Sequence, residues 1–319
     1  MSKLGRVSKT LSDNFDEDLL LQEPMSVWKR TFKRLWSRRS GKIGLLLIGF
    51  IFLIAFTAPI IAPYDPQEVL IGKEIVKLKK REGPCIHMLG CDSAKPQHLM
   101  GIDGNYRDQY SRIIYGSRIS LSIGFSTVAF AVTGGVLLGA LAAFFGGWID
   151  NIIMRLMDVI LGFPSLLLAI AIVAVLGPGI RNALLAIAIV TLPAYARLTR
   201  ASVLTVKELD FVKASITLGA SPTRLLLFRI LPNSLTPVVV LATLGIATAI
   251  LDAAGLSFLG LGAQPPMPEW GTMLGSERNQ VFSAPHLVFF PGIAIMITVL
   301  SFNLFGDGLR DALDPRLND

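Results

Sequence analysis

Residues 207–233 read KELDFVKASITLGASPTRLLLFRILPN. The chain on either side is strongly apolar, whereas this stretch is amphipathic, basic and punctuated like two short helices around a corner. In KELDFVKASITL, the apolar residues Leu209, Phe211, Val212 and Ile216 recur at helical spacing. Gly219 follows as a left-handed stop. Ser221 is placed to cap a second helix, with Pro222 at its first position. TRLLLFRIL is that second helix, and Pro232 is expected to open the next break. A loop that only joined two apolar segments would need none of this grammar, so the segment is expected to be a rigid elbow able to transmit force.

Working outward, the 319 residues are 52% hydrophobic and 17% charged, against about 25% charged in a soluble domain. The missing charge leaves long uncharged windows at 43–64, 119–149, 159–180, 182–196, 230–251 and 279–306. A membrane span needs about 20 apolar residues at 1.5 Å rise each. Five windows reach that length. The fourth is short, and Arg181 and Arg197 flank it, placed to snorkel to the two interfaces. The reading is an all-α polytopic membrane protein with six transmembrane helices. The apolar but Gly- and Pro-rich stretch 253–268 reads as the ragged end of the fifth span or a re-entrant turn.

Orientation follows from Lys and Arg. Residues 1–42 carry ten of them, seven within KRTFKRLWSRRSGK. This places the N-terminus inside and, with six spans, the C-terminus inside as well. The expected organisation is a cytoplasmic tail over 1–42, a first span at 43–64 and an extracytoplasmic loop at 65–118. A membrane-spanning core at 119–306 then carries the elbow within a loop at 198–233, and a cytoplasmic tail follows over 307–319. The loop 65–118 holds nine Lys and Arg, an excess offset by seven acids and by the weak hold of the charge rule on long loops. The run WKRTFKRLW reads either as a plain tail or as a helix lying on the anionic inner leaflet. Residues 1–24 have no apolar core, so no cleavable signal peptide is expected there.

Few residues carry chemistry. No phosphate-loop, HExxH or nucleophile-elbow pattern occurs, so no enzymatic activity, bound cofactor or nucleic-acid partner is expected for this chain. Cys85 and Cys91 share the outside loop, where a disulfide is one reading and a zinc site with His87 another. Asp252 interrupts apolar sequence. It reads as a residue lining a translocation path or pairing across the bundle, or as a solvated group near the outer end of the fifth span. Asp150, Arg155 and Asp158 mark the inner turn between the second and third spans, with Arg155 spaced to pair with Asp158.

The elbow resembles the loop of ABC-importer membrane subunits, whose pattern is EAA, then Gly four residues later, then a hydrophobic stretch ending in LP. The matching positions are Lys213, Ala214, Ser215, Gly219, Leu231 and Pro232, with Ala220, Ser221 and Pro222 forming the corner. Lys213 stands where the pattern has Glu, Ser215 where it has the second Ala, and Arg229 where Ile is common. The wider resemblance, from about residue 25 onward, is to the second permease subunit of dipeptide/oligopeptide/nickel importers. It rests on HLMGIDGNYRDQYSRIIYGSRISL, FFGGWIDNIIMRLMDVILGFPSLLLA, PAYARLTR, GLSFLGLGAQPPMPEWGTML and FNLFGDGLRDALDPR. Ile102 and Tyr106 depart from the usual Thr and Gly, Leu192 stands where an aromatic is common, and 71–97 reads as an insertion.

The resemblance implies a permease that pairs with a homologous second permease in the cell inner membrane. Two ATPase subunits would carry ATP and Mg, and an extracytoplasmic binding protein would deliver the substrate. The helix ending at Gly219 would dock on the ATPase. Peptides are the expected cargo, with nickel or another small solute as the alternative. An ion-coupled secondary transporter is a competing class. It would show inverted repeats, a broken helix near mid-membrane and a buried ion site. A membrane scaffold without transport would not need the elbow.

Overall fold

The computed structural model describes residues 27–74 and 78–313. The expected tail before 27, loop residues 75–77 and the end of the C-terminal tail from 314 lie outside the described residues. Among the described residues the chain is helical, with isolated bridges in place of strands.

A short amphipathic helix, α1 (Val27–Ser37), leads into α2 (Arg39–Ile61). After a long loop come α3 (Gln109–Phe145), α4 (Gly147–Leu161), α5 (Ser165–Leu176) and α6 (Ile180–Lys207). The elbow supplies α7 (Asp210–Thr217), α8 (Pro222–Leu225) and α9 (Leu231–Ser234). Then follow α10 (Thr236–Phe258), α11 (Trp270–Glu277) and α12 (His286–Leu313). Five helices, α2, α3, α6, α10 and α12, are long and apolar enough to cross a membrane. The third expected span, 159–180, is not straight: α4 and α5 meet at a 93° bend. The bend falls at Gly162-Phe163-Pro164, where proline removes a backbone donor and disfavours helical geometry in the residue before it.

The helix ends differ from the uncharged windows because charged residues lie inside helices, several of them neutralised by distant partners. The window from 119 begins inside α3, which starts at Gln109 and carries Arg112 and Arg118 within it. Arg112 is satisfied there by the Pro66 carbonyl at 2.8 Å and the Pro266 carbonyl at 3.2 Å. The short fourth window becomes the 28-residue α6. Arg197 lies within α6 and pairs with Asp158 at 2.5 Å, and Arg200 grips Asp150 with two bonds of 2.5 Å. Asp158 therefore pairs with Arg197 and not with Arg155, because α6 packs beside α4 and offers the better-placed cation. The fifth window stops at Asp252, yet α10 runs on to Phe258.

The bundle is closed by small residues. A side chain at Gly139 of α3 would strike the Ala196 backbone of α6, so the two longest interior helices approach at backbone distance. At the other flank, Gly41 and Gly308 meet backbone to backbone, which binds the start of α2 to the end of α12. Leu46, Phe50, Leu53, Phe56 and Ile60 form an exposed apolar stripe on α2, as expected of a helix whose outer solvent is lipid.

Candidate functional site

At one end of the bundle the segment around 98–112 folds into a buried polar cap. Asp103 is 4% exposed. Its carboxylate accepts from the Asn105 N–H at 2.8 Å and the Arg107 N–H at 2.9 Å. It also accepts from Arg107 Nε at 2.7 Å, with Arg112 Nε at 3.5 Å. Asp108 caps α3 by accepting from the Ser111 N–H at 2.7 Å, and its other oxygen meets His98 Nδ1 at 2.8 Å. Glu74 approaches His98 Nε2 at 3.2 Å and accepts from the Tyr64 hydroxyl at 2.9 Å. Burial opposes a charge on His98, but the bond and charge of Asp108, then those of Glu74, outweigh it and raise its pKa. Burial, reinforced by the Glu74 bond, pushes Tyr64 up to about 12. From the far side of the chain, Glu277 accepts from Arg81 Nε at 2.8 Å and the Gly104 N–H at 3.0 Å. Glu269 caps α11 through the Gly271 and Thr272 N–H groups, and Trp270 donates to the Ile113 carbonyl at 3.0 Å. Cys85 and Cys91 are disulfide-bonded on the rim of this cap.

The elbow lies at the opposite end of α3. α7 stops where the sequence places its stop: Gly219 has φ +80°. The Gly219 N–H bonds the Ile216 carbonyl at 2.9 Å and the Ala220 N–H bonds that of Ser215 at 3.1 Å, the paired bonds of a Schellman stop. Pro222 occupies the first turn of α8, but the Ser221 side chain makes no cap bond. Its backbone carbonyl accepts the first intrahelical bond, from the Leu225 N–H at 2.9 Å. Pro232 does not break the helix. The Leu231 N–H reaches back five residues to Leu226, and this widened turn over Leu226–Ile230 lets Pro232 enter the first turn of α9.

The four apolar residues of the first elbow helix do not form a core face. Val212 alone is buried, at 0% exposure, against Val203, Val206, Leu225, Ile230 and Ala143. Leu209, Phe211 and Ile216 are exposed, and Leu218 is 87% exposed beside Gly219. Lys213 faces solvent with Glu208 3.7 Å away, Ser215 bonds the Phe211 carbonyl, and Ala214 is exposed between them. Lys207 ties the elbow to α3 by donating to the Phe144 carbonyl at 3.2 Å, a cation at a helix C-terminus.

Asp252 lines an open groove of about 780 Å³ between α10 and α12, flanked by Leu166 and Leu274. The rest of the lining is apolar apart from Asn303. Among the described residues Asp252 has no hydrogen-bond or ion-pair partner, so it does not pair across the bundle. A second groove, of about 550 Å³, is polar and holds both α4–α6 ion pairs together with Arg155. Sequence reasoning singled out Asp252 but missed Asp103, Asp108 and Glu269. The signal was present in the acid-rich cap segment and in Glu269 immediately before Trp270.

Comparison with known proteins then places the chain. Residues 135–319 match the model of the binding-protein-dependent transport system inner membrane component, and residues 26–77 that of the N-terminal TM domain of oligopeptide transport permease C. The chain is 46% identical over 293 residues to a dipeptide transport system permease protein of Alkalihalophilus pseudofirmus, covering 92% of this chain and 91% of that protein. It is 47% identical to a di/tripeptide transport system permease protein of Pseudomonas aeruginosa, covering 93% and 96%. A glutathione transport system permease protein of Pectobacterium atrosepticum is 43% identical, covering 91% and 90%. In fold the chain resembles the MetNI methionine ABC transporter in an inward-facing form, with TM-score 0.53 and 18% identity, over 64% of this chain and 97% of that one. With its apolar helices and a family match over most of its length, the chain belongs to the inner membrane components of binding-protein-dependent transport systems, as a multi-pass permease subunit of an ABC importer.

Proposed function

We propose that this permease imports peptides, pairing with a homologous second permease to form half of the pathway and drawing energy from two ATPase subunits through the elbow. The cargo reading rests on relatives whose names specify a dipeptide, a di/tripeptide and glutathione, each aligned over about nine-tenths of this chain. The coupling reading rests on one observation. An eight-residue helix held by a single buried valine leaves Leu209, Phe211, Ile216 and Leu218 exposed at the end of the bundle. Apolar surface of this kind marks a docking face, and the Schellman stop fixes its angle.

In this reading the elbow end faces the cytoplasm and so do both termini, since the Gly41–Gly308 contact places the start of α2 and the end of α12 together. The cap end faces the extracytoplasmic binding protein. ATP and its Mg belong to the partner ATPases, and this chain performs no catalysis. Closure of the ATPases would shift the permease between inward- and outward-facing states by moving a stiff lever.

The test is Gly219→Val in the complete transporter reconstituted in proteoliposomes. A β-branched side chain at φ +80° strains the corner by at least about 1–2 kcal/mol, while the open space around Gly219 removes any steric effect on the core. Peptide uptake and the ATPase stimulation given by loaded binding protein should both fall. Wild-type values of both in an assembled Gly219→Val complex would overturn the lever.

A further inference from the structure

We infer that the groove around Asp252 is a transient subsite for the cationic end of the cargo, the α-ammonium of a peptide, within the translocation pathway. This rests on the peptide-importer reading above. Three observations carry it. The first is the state of the carboxylate: Asp252 sits among Leu251, Phe258, Ile295, Met296 and Val299, and no described residue donates to it. Elsewhere the chain spends its donors freely on acids, as Asp103, Asp108 and Glu269 show. An acid left unmatched in an apolar span is a functional group by default. An arriving ammonium supplies both a charge and three N–H donors.

The second observation is size. At about 780 Å³ the groove falls within the range of sites for small ligands, and it is far larger than a water or a bare metal ion needs. Glycines line it, and a Cβ at Gly255 or Gly292 would meet nothing within 4 Å. The space is open to a backbone-sized guest rather than packed. The third is position. Asp252 lies 16 residues into α10, so roughly 24 Å along its axis from Thr236, beyond the midpoint and toward the cap end. A group there would meet a peptide soon after release from the binding protein. The mainly apolar walls contact side chains of any type, while the single carboxylate reads the one cationic feature every free peptide shares. Such a subsite orients cargo without selecting its sequence.

The experiment uses the whole transporter with Asp252→Asn and Asp252→Glu, in proteoliposomes with radiolabelled dialanine as the probe. Co-purification of the other subunits and ATPase stimulation by loaded binding protein are measured beside uptake. The expected result is intact assembly and stimulation in both variants. Dialanine taken up per ATP hydrolysed should fall about tenfold in Asp252→Asn, as for loss of one charge-assisted hydrogen bond, with recovery in Asp252→Glu. Equal uptake by Asp252→Asn and wild type overturns the subsite and leaves the importer reading standing. Loss of subunit co-purification in Asp252→Asn assigns the carboxylate to a cation of the sister permease, which also overturns it. No dialanine uptake by the wild-type transporter, with the binding protein binding dialanine, overturns both readings together.

Discussion

Asp103 and Lys213 lie at opposite ends of the bundle, near opposite ends of α3, and the chain treats them in opposite ways. Asp103 is buried and held by two backbone N–H groups and two guanidinium groups. Lys213 stands in solvent with a loose neighbour on the same elbow. The cap around Asp103 pairs its buried acids within the chain and draws on residues from 64 to 287 to do so. The elbow around Lys213 is fixed in shape by its backbone but keeps one buried side chain and leaves its apolar residues uncovered. A self-satisfied surface stays rigid whatever touches it. An unsatisfied one is completed by a partner. The difference therefore separates the part of this chain that holds the fold from the part that takes up force.

The comparison breaks first at Asp103. Replacing it with Ala strands Arg107 in a buried site and leaves Arg112 with carbonyl partners alone, and loss of one member of such a pair costs about 3–5 kcal/mol. The purified permease complex should show a large drop in melting temperature. A drop no greater than that of a surface substitution would mean the cap is not a structural unit. Val212→Ala tests the other end. Removing two buried methyl groups costs about 2 kcal/mol, but the loss should be local, read as faster amide exchange in 208–220 with exchange in the cap unchanged. Equal acceleration at both ends would deny their independence.

The pH dependence sharpens the contrast further. His98 has its pKa raised in the folded cap. The stability it contributes is complete below its ordinary value of about 6.5 and is lost as pH rises through the higher folded value. A charge-assisted hydrogen bond of this kind contributes roughly 1.5 kcal/mol. Thermal stability should decline on going from pH 6 to pH 8.5, and His98→Asn should flatten that decline. The elbow, with no histidine, should show no such slope. A fourth expectation concerns Tyr106, whose φ of +58° suits glycine. Tyr106→Gly relieves strain and adds unfolded-state entropy, leaving a gain of about 0.5 kcal/mol in chemical denaturation. The smallest effect is that of Lys213→Glu. Both members of its ion pair are exposed, so stability should move by less than about 0.5 kcal/mol. ATPase stimulation can change in the same variant, and that divergence would mark Lys213 as a contact rather than a support.

Much of this was legible from the chain alone, and the reason is locality. Gly219 with Ser221 and Pro222 encodes a stop, a corner and a restart within four residues, and the backbone follows that instruction through the Schellman bonds. The apolar runs marked every long helix because lipid-facing and core-facing positions alike must be apolar. What misled was reading each charge as a helix boundary. Arg112, Arg197, Arg200 and Asp252 all lie within helices. Three of them are tolerated because a partner far along the chain, or a distant carbonyl, meets them: Asp158 is 39 residues from Arg197, and Asp150 is 50 from Arg200.

Periodicity had a similar limit at the elbow. It placed Leu209, Phe211, Val212 and Ile216 on a helix, but which of them is covered depends on where α3 and α6 end, and only Val212 meets them. Sequence by itself thus determined which stretches are helical and where the elbow turns, since those are written in short-range backbone preference and in composition, while its motifs carried the resemblance to a family. Tertiary structure alone decided which charges are neutralised, which elbow side chains wait for a partner and that Asp252 faces open space. Each of these depends on what lies across the bundle, and no local pattern records that.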